Sequence, residues 1–116
     1  MWSEKDAALI REMRLRLDQI ATLVAGQDRD VFLADPAKPH AVAMFFVMVG
    51  EAAGKVSPAM QSAHPGIAWG FAKRLRNLIA HEYRRIDWHL LRTIATEDAP
   101  RLRAELPEPP PPETFD

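Results

Sequence analysis

The chain of 116 residues has no cysteine. That excludes disulfides, thiolate metal sites and cysteine nucleophiles, and it fits a reducing compartment. No long apolar run is present either. The most hydrophobic stretch, "AVAMFFVMVG" (41–50), is far short of the roughly 20 residues a bilayer span needs, so no membrane association is expected. The start, "MWSEKDAALI", lacks a basic segment followed by an apolar one and does not read as a signal peptide. A cytoplasmic protein is therefore expected. Strand-like alternation of useful length is missing, and so are internal repeats. Net charge is close to absent, at −1, so the molecule as a whole is no polycation, and any phosphate binding must come from a local patch.

What is present is helical punctuation and periodicity. Ser3 caps a first helix over 3–25, with Glu4 and Asp6 in its first turn and Ile10, Met13, Leu17, Ile20 and Val24 as one stripe. Gly26 stops it. Residues 28–36 read as a connection with a short helical piece. Pro39 opens a second helix to about Val56, apolar on most sides and hence central. Ser57-Pro58 and His64-Pro65-Gly66 mark a break. A third helix covers about Ile67 to Ala80 or Tyr83. A fourth starts near Ile86 or Asp87 and fades before Pro100, with a further short piece at 97–104. The fold class expected is all-α, a bundle of four to five helices forming a symmetric dimer. Residues 1–105 make the helical domain and 106–116 a proline-rich tail. That tail, "PEPPPPETFD", reads either as a disordered end or as a strap across a partner with Phe115 as anchor.

Charge is unevenly placed. From Lys73 to Arg92 six Lys/Arg face two acids, whereas from Glu97 to Asp116 six acids face two Arg. A basic face and an acidic tail follow. The basic stretch contains "RNLIAHEYRRID" (76–87), where Arg76, Asn77, His81 and Tyr83 crowd together. Histidine exchanges protons near neutral pH, and arginine clamps phosphate through two hydrogen bonds. Together they suit phosphodiester cleavage that needs no metal or other cofactor, and RNA carries its own 2′-hydroxyl nucleophile. Asn77 and His81 share a helix face, but Arg76 and His81 lie about 140° apart on an ideal helix. Either the helix ends near His81 and turns, or a second subunit completes the site.

Other residues have two readings each. Glu51 in its apolar helix is a partly exposed residue, or a carboxylate turned towards Arg76 or His81. Arg84 and Arg85 are solvated, or contact phosphate. His40 and His64 beside prolines read as loop surface. Trp69 and Trp88 read as core or dimer anchors, and Phe45, Phe46 and Met48 as core or dimer seam. Asp87 and His89, two apart on a helix, point away from one another, which argues against a metal site.

"RNLIAHEYRRID" resembles the arginine, any four, histidine, any, tyrosine signature of the HepT-like proteins, a branch of the HEPN superfamily. "VGEAAGKVS" (49–57) resembles that family's glycine-glutamate-alanine helix, "HPGIAWGFAKRLRN" (64–77) the segment before its motif helix, and "YRRIDWHLLRTIATEDAPRL" (83–102) its closing helix. The resemblance covers roughly residues 5–105 and leaves the tail outside. It implies an α-helical homodimeric toxin of a toxin–antitoxin pair, a metal-independent ribonuclease acting on RNA, tRNA among the candidates. Its cleft would lie between the two subunits. Carried over, Arg76 is the phosphate-binding residue, His81 the catalytic one and Asn77 an orienting one, with Glu51 in support. The partner would be a minimal nucleotidyltransferase antitoxin that neutralises the toxin by transferring AMP to Tyr83. The alternative is a non-catalytic helical subunit that binds nucleotide or supports such a transferase.

Overall fold

Ser3 accepts a hydrogen bond from the Asp6 amide (3.0 Å) and starts α1, Glu4–Val24. The computed structural model describes residues 2–112, so the expected anchor Phe115 lies outside the described residues. The stripe Ile10, Met13, Leu17 and Ile20 is buried along α1, and Gly26, with φ +69°, turns the chain away in the left-handed region that favours glycine. Asp28 caps α2 (Arg29–Ala34) by accepting from the Val31 amide, and Phe32 is fully buried. The Asp35 carboxylate accepts from the Lys38 and Ala37 amides, which holds it below the usual carboxylate range and turns the chain into α3, Lys38–Lys55.

α3 is the central helix. It buries Val42, Ala43, Phe46, Val49, Ala52 and Ala53 between α1 on one side and α5 (Trp69–His81) on the other. After α5 a 3-10 turn covers Tyr83–Arg85, and Asp87 caps α6 (Trp88–Thr93). A π-helical segment, Ile94–Asp98, leads without a break into α7, Ala99–Glu105. Among the described residues every regular element is helical, so the all-α bundle expected from periodicity is the observed fold.

Two expectations need correction. The break at 57–66 contains a helix, α4 (Pro58–Ala63), because Ser57 accepts from the Met60 amide (3.2 Å) and Pro58 suits a first helical position. The fourth helix does not fade before Pro100. A proline lacks the N–H for a helical bond and crowds the carbonyl four residues back. Here the wider π turn, in which the Ala99 amide reaches Ile94 O, absorbs that mismatch and the helix continues. The tail also has a definite place. Arg14 donates to Leu106 O (3.3 Å) and Arg11 to Pro110 O (2.7 Å), Leu106 and Pro109 are buried, and the non-helical run lies against α1 of its own chain.

Asp6 ties the start of α1 to α4. It is only 4% exposed, and its carboxylate accepts from the Ser57 amide (2.9 Å) and the Ser57 hydroxyl (2.6 Å). Burial pushes its pKa up, but the Ser57 hydroxyl and amide, with Ser3 and Lys5, outweigh burial and hold it below its ordinary value. A lowered folded pKa means stability that is fully present above the ordinary aspartate value and lost as pH falls through the folded one. Asp6→Asn is expected to cost about 2 kcal/mol at pH 7, since the Ser57 amide loses a charged acceptor. That corresponds to roughly 8 °C in Tm. In thermal melts taken from pH 7 downwards, the gap between wild type and variant should close on acidification. A gap independent of pH would mean that Asp6 acts through shape alone.

Candidate active site

α5 is amphipathic. Trp69, Ala72, Leu75 and Ile79 face the core, and the Trp69 indole donates to His64 O (3.1 Å). This burial fixes the rotation of the helix, and Arg76 follows from it, at the edge where α5 crosses α3. The crossing is close. A Cβ placed on Gly50 would stand 2.2 Å from the Arg76 Cβ and 2.6 Å from Ala72 O, so only glycine fits there. The Arg76 stem therefore lies flat on α3 and its guanidinium meets the next residue, Glu51. Arg76 Nε donates to Glu51 Oε1 (2.7 Å), Nη2 pairs with the same oxygen, and Nη1 donates to Asn77 Oδ1 (3.1 Å). The Arg76 side chain keeps 32% of its surface exposed. It is pinned and still open to a ligand. Around it lies a surface hollow with Gly54, Lys55 and Lys73 on its walls.

His81 is the last residue of α5 and is exposed; among the described residues its ring takes part in no hydrogen bond. The helix ends there because the Glu82 amide makes the closing bond to Leu78 O and the chain turns into Tyr83–Arg85. Arg76, Asn77 and Glu51 are thus brought together by hydrogen bonds, while His81, one turn beyond Asn77, is bonded to none of them. Tyr83 goes elsewhere. Its hydroxyl bonds His40 Nδ1, and both rings pack edge-on to Trp88, with centroids 6.0 Å and 4.8 Å away respectively. Arg84 and Arg85 are exposed beside the motif. Arg85 rims an apolar groove formed by Leu75, Leu78, Ile79, Ile86, Leu90 and Leu91.

Three readings change. His40 is not in a loop, because α3 begins at Lys38 and puts His40, still exposed, in the first turn against Tyr83. No local pattern could have revealed that contact across 43 residues. Trp69 is core as expected, and Trp88, half-buried against the core, also lies edge-on to the His40–Tyr83 pair, which was not foreseen. Arg92 leaves the basic face: it is half-buried and donates to Gln27 O (3.1 Å).

Residues 13–108 match the family described as Ribonuclease HepT-like. The chain belongs to the HepT-like ribonuclease family. Within this family it is similar to a protein of Methanocaldococcus jannaschii named as an RNase, at 29% identity over 68% of this chain and 72% of the relative. It is also similar to a protein of Thermococcus cleftensis named as a ribonuclease HepT, at 30% identity over 64% of this chain and 67% of the relative. No solved structure gives a significant match. The HepT-like family is one of ribonucleases, so RNA is the substrate class that goes with membership. Among the described residues no three His, Asp or Glu side chains gather as a metal-binding group, and no helix is long and apolar enough to cross a membrane.

Proposed function

We propose that this HepT-like chain is the toxin of a toxin–antitoxin pair acting in the cytoplasm. It cleaves RNA without a metal, at a cleft shared by two copies of the chain. The observation that carries the reading is the guanidinium of Arg76, fixed by Glu51 and Asn77 at an open basic hollow, with the exposed imidazole of His81 at the end of the same helix.

Arg76 would grip the non-bridging oxygens of the scissile phosphate through the donors that Glu51 leaves free. His81 would take the proton of the ribose 2′-hydroxyl as it attacks phosphorus, or give one to the leaving 5′-oxygen. Charge grows on the phosphoryl oxygens in the transition state, and a fixed cation is worth most there. Within one chain no hydrogen bond joins Arg76 to His81, among the described residues. The exposed side chains of Leu78 (49%) and Leu90 (52%), on the apolar groove next to the motif, favour a second copy lying against this face and bringing its own motif across. Neutralisation follows from the position of Tyr83. AMP transferred to its hydroxyl by a minimal nucleotidyltransferase would put a bulky anion two residues from His81, where it would compete with RNA phosphate for the neighbouring Arg84 and Arg85.

The test is cleavage of total cellular RNA and end-labelled tRNA in EDTA by wild type, Arg76→Ala and His81→Ala. Cutting by wild type and by neither variant supports the reading. A folded wild type that does not cut, but binds nucleotide or a nucleotidyltransferase, supports the non-catalytic subunit instead. Glu51 gives a finer outcome. Its carboxylate offsets the charge of Arg76 while holding its geometry, so Glu51→Gln should tighten ground-state binding and loosen the transition-state fit. We expect KM for a short oligoribonucleotide to fall about threefold and kcat about tenfold. A rise in KM at constant kcat would show that Glu51 serves binding only.

A further inference from the structure

Resting on the reading that Tyr83 receives AMP, we propose that His40 is the proton acceptor in that transfer. A phenol is a weak nucleophile at neutral pH, because its ordinary pKa of about 10 keeps it protonated. It needs a base within hydrogen-bond reach. Among the described residues the group bonded to the Tyr83 hydroxyl is His40 Nδ1. Neither Glu82 nor Asp87, the neighbouring carboxylates, bonds it; Asp87 is engaged with the Leu90 amide.

The pair is held by its surroundings. Pro39 is buried at the start of α3 and fixes the backbone beside His40. Trp88 lies edge-on to the imidazole at 63° and to the phenol at 85°, so it limits the swing of both rings. Tyr83 remains 43% exposed, and a groove lined by Leu33, Asp35, His40, Trp88 and His89 opens beside the pair. A nucleoside triphosphate carried by a transferase would approach from the exposed side of the phenol, with the groove on the His40 side beside it.

With the imidazole hydrogen on Nε2, the phenol donates to the Nδ1 lone pair. As Tyr83 Oη forms its bond to the α-phosphorus, the bond from that phosphorus to the α,β-bridging oxygen breaks. Pyrophosphate leaves with the electron pair. The phenolic proton passes to Nδ1, and the imidazolium then returns it to water. The products are AMP esterified to Tyr83 and pyrophosphate.

The experiment uses the full chain, its minimal nucleotidyltransferase and ATP labelled at the α-phosphate. Tyr83 is the chain's single tyrosine, so peptide mass spectrometry reads the modified residue directly. Label on wild-type Tyr83, with an initial rate about a hundredfold lower in His40→Ala at unchanged KM for the chain, is the expected result. His40 is exposed, so the variant should fold, which a thermal melt checks. His40→Gln should be as slow as His40→Ala, since an amide can still bond the hydroxyl but cannot take its proton. Added imidazole should restore His40→Ala at least severalfold, which a residue of merely structural role would not allow. Wild-type rates in His40→Gln, or no rescue by imidazole, overturn the role of His40 while leaving modification of Tyr83 intact. No label on wild-type Tyr83 overturns the adenylylation reading and this assignment with it.

Discussion

Mixing Arg76→Ala with His81→Ala is expected to restore about one quarter of wild-type RNA cleavage, although each variant alone is nearly inactive. Removing a proton-transfer histidine lowers rates by about 10²–10⁴, and removing a transition-state cation by about 10²–10³. If one copy supplies Arg76 and the other His81, a mixed dimer has one intact site and one doubly damaged site. Random exchange makes about half of all dimers mixed, and each carries one working site of two, hence the quarter. The geometry behind this is that Arg76 is turned to Glu51 on α3 while His81 stands at the end of α5, with no hydrogen bond between the two among the described residues. The measurement is initial cleavage of an end-labelled RNA after the variants are denatured and refolded together, beside each refolded alone. Recovery confirms a shared site. A mixture no faster than its components places both residues of each site in one chain.

The second large effect is in stability. Gly50→Ala puts a Cβ 2.2 Å from that of Arg76 and 2.6 Å from a backbone oxygen of α5, and backbone cannot step aside as a flexible side chain can. α3 and α5 must separate. Overpacking of this kind costs about 3 kcal/mol at the upper end of its usual range. A melt should show a Tm lower by roughly 12 °C. RNA cleavage should fall too, because Arg76 is carried on the displaced face. Gly54→Ala is the internal control. A Cβ there meets only Lys73 at 3.9 Å, an ordinary contact, so removing the glycine's backbone freedom should stabilise by about 0.5 kcal/mol. Two glycines one helical turn apart should thus respond with opposite sign. A neutral Gly50→Ala would show that the crossing has slack.

The contrast between Gly50 and Gly54 also shows what could be read without coordinates. Periodicity reveals which face of a helix is buried, so the stripe from Ile10 to Ile20, the apolar α3 and the all-helical class were legible. The ends given by Ser3 and Gly26 were legible for the same local reason. α4 was hidden because six residues are too few to show a period, and the residues that cap it, Ser57 and Pro58, also mark turns. The short piece at 97–104 was legible and is α7, but its continuity with α6 was hidden, because Pro100 ordinarily ends a helix and nothing local announces that the preceding turn widens. In the motif, residue types and order suggested the chemistry, and of the two partners read for Glu51 the structure gives Arg76, whereas the partner of Tyr83, His40 from 43 residues away, had no signal. Such pairings depend on how α3 lies across α5 and into the turn after it, and hydrophobic spacing fixes that only to within a face.

The arginines that hold α1 and the tail have a consequence for how a polyanion first meets the molecule. Arg11 and Arg14 are spent on tail carbonyls, and Arg16 and Arg103 on Glu12 and Asp18. Lys73, Arg74, Arg84 and Arg85 make no side-chain hydrogen bond or ion pair among the described residues. In a protein of almost zero net charge, these four cations without a counter-charge concentrate positive potential beside the motif helix. RNA drifting past would feel a torque before it feels an attraction. Many encounters would begin already oriented, and this advantage would fade as salt shortens the reach of the field below about 10 Å.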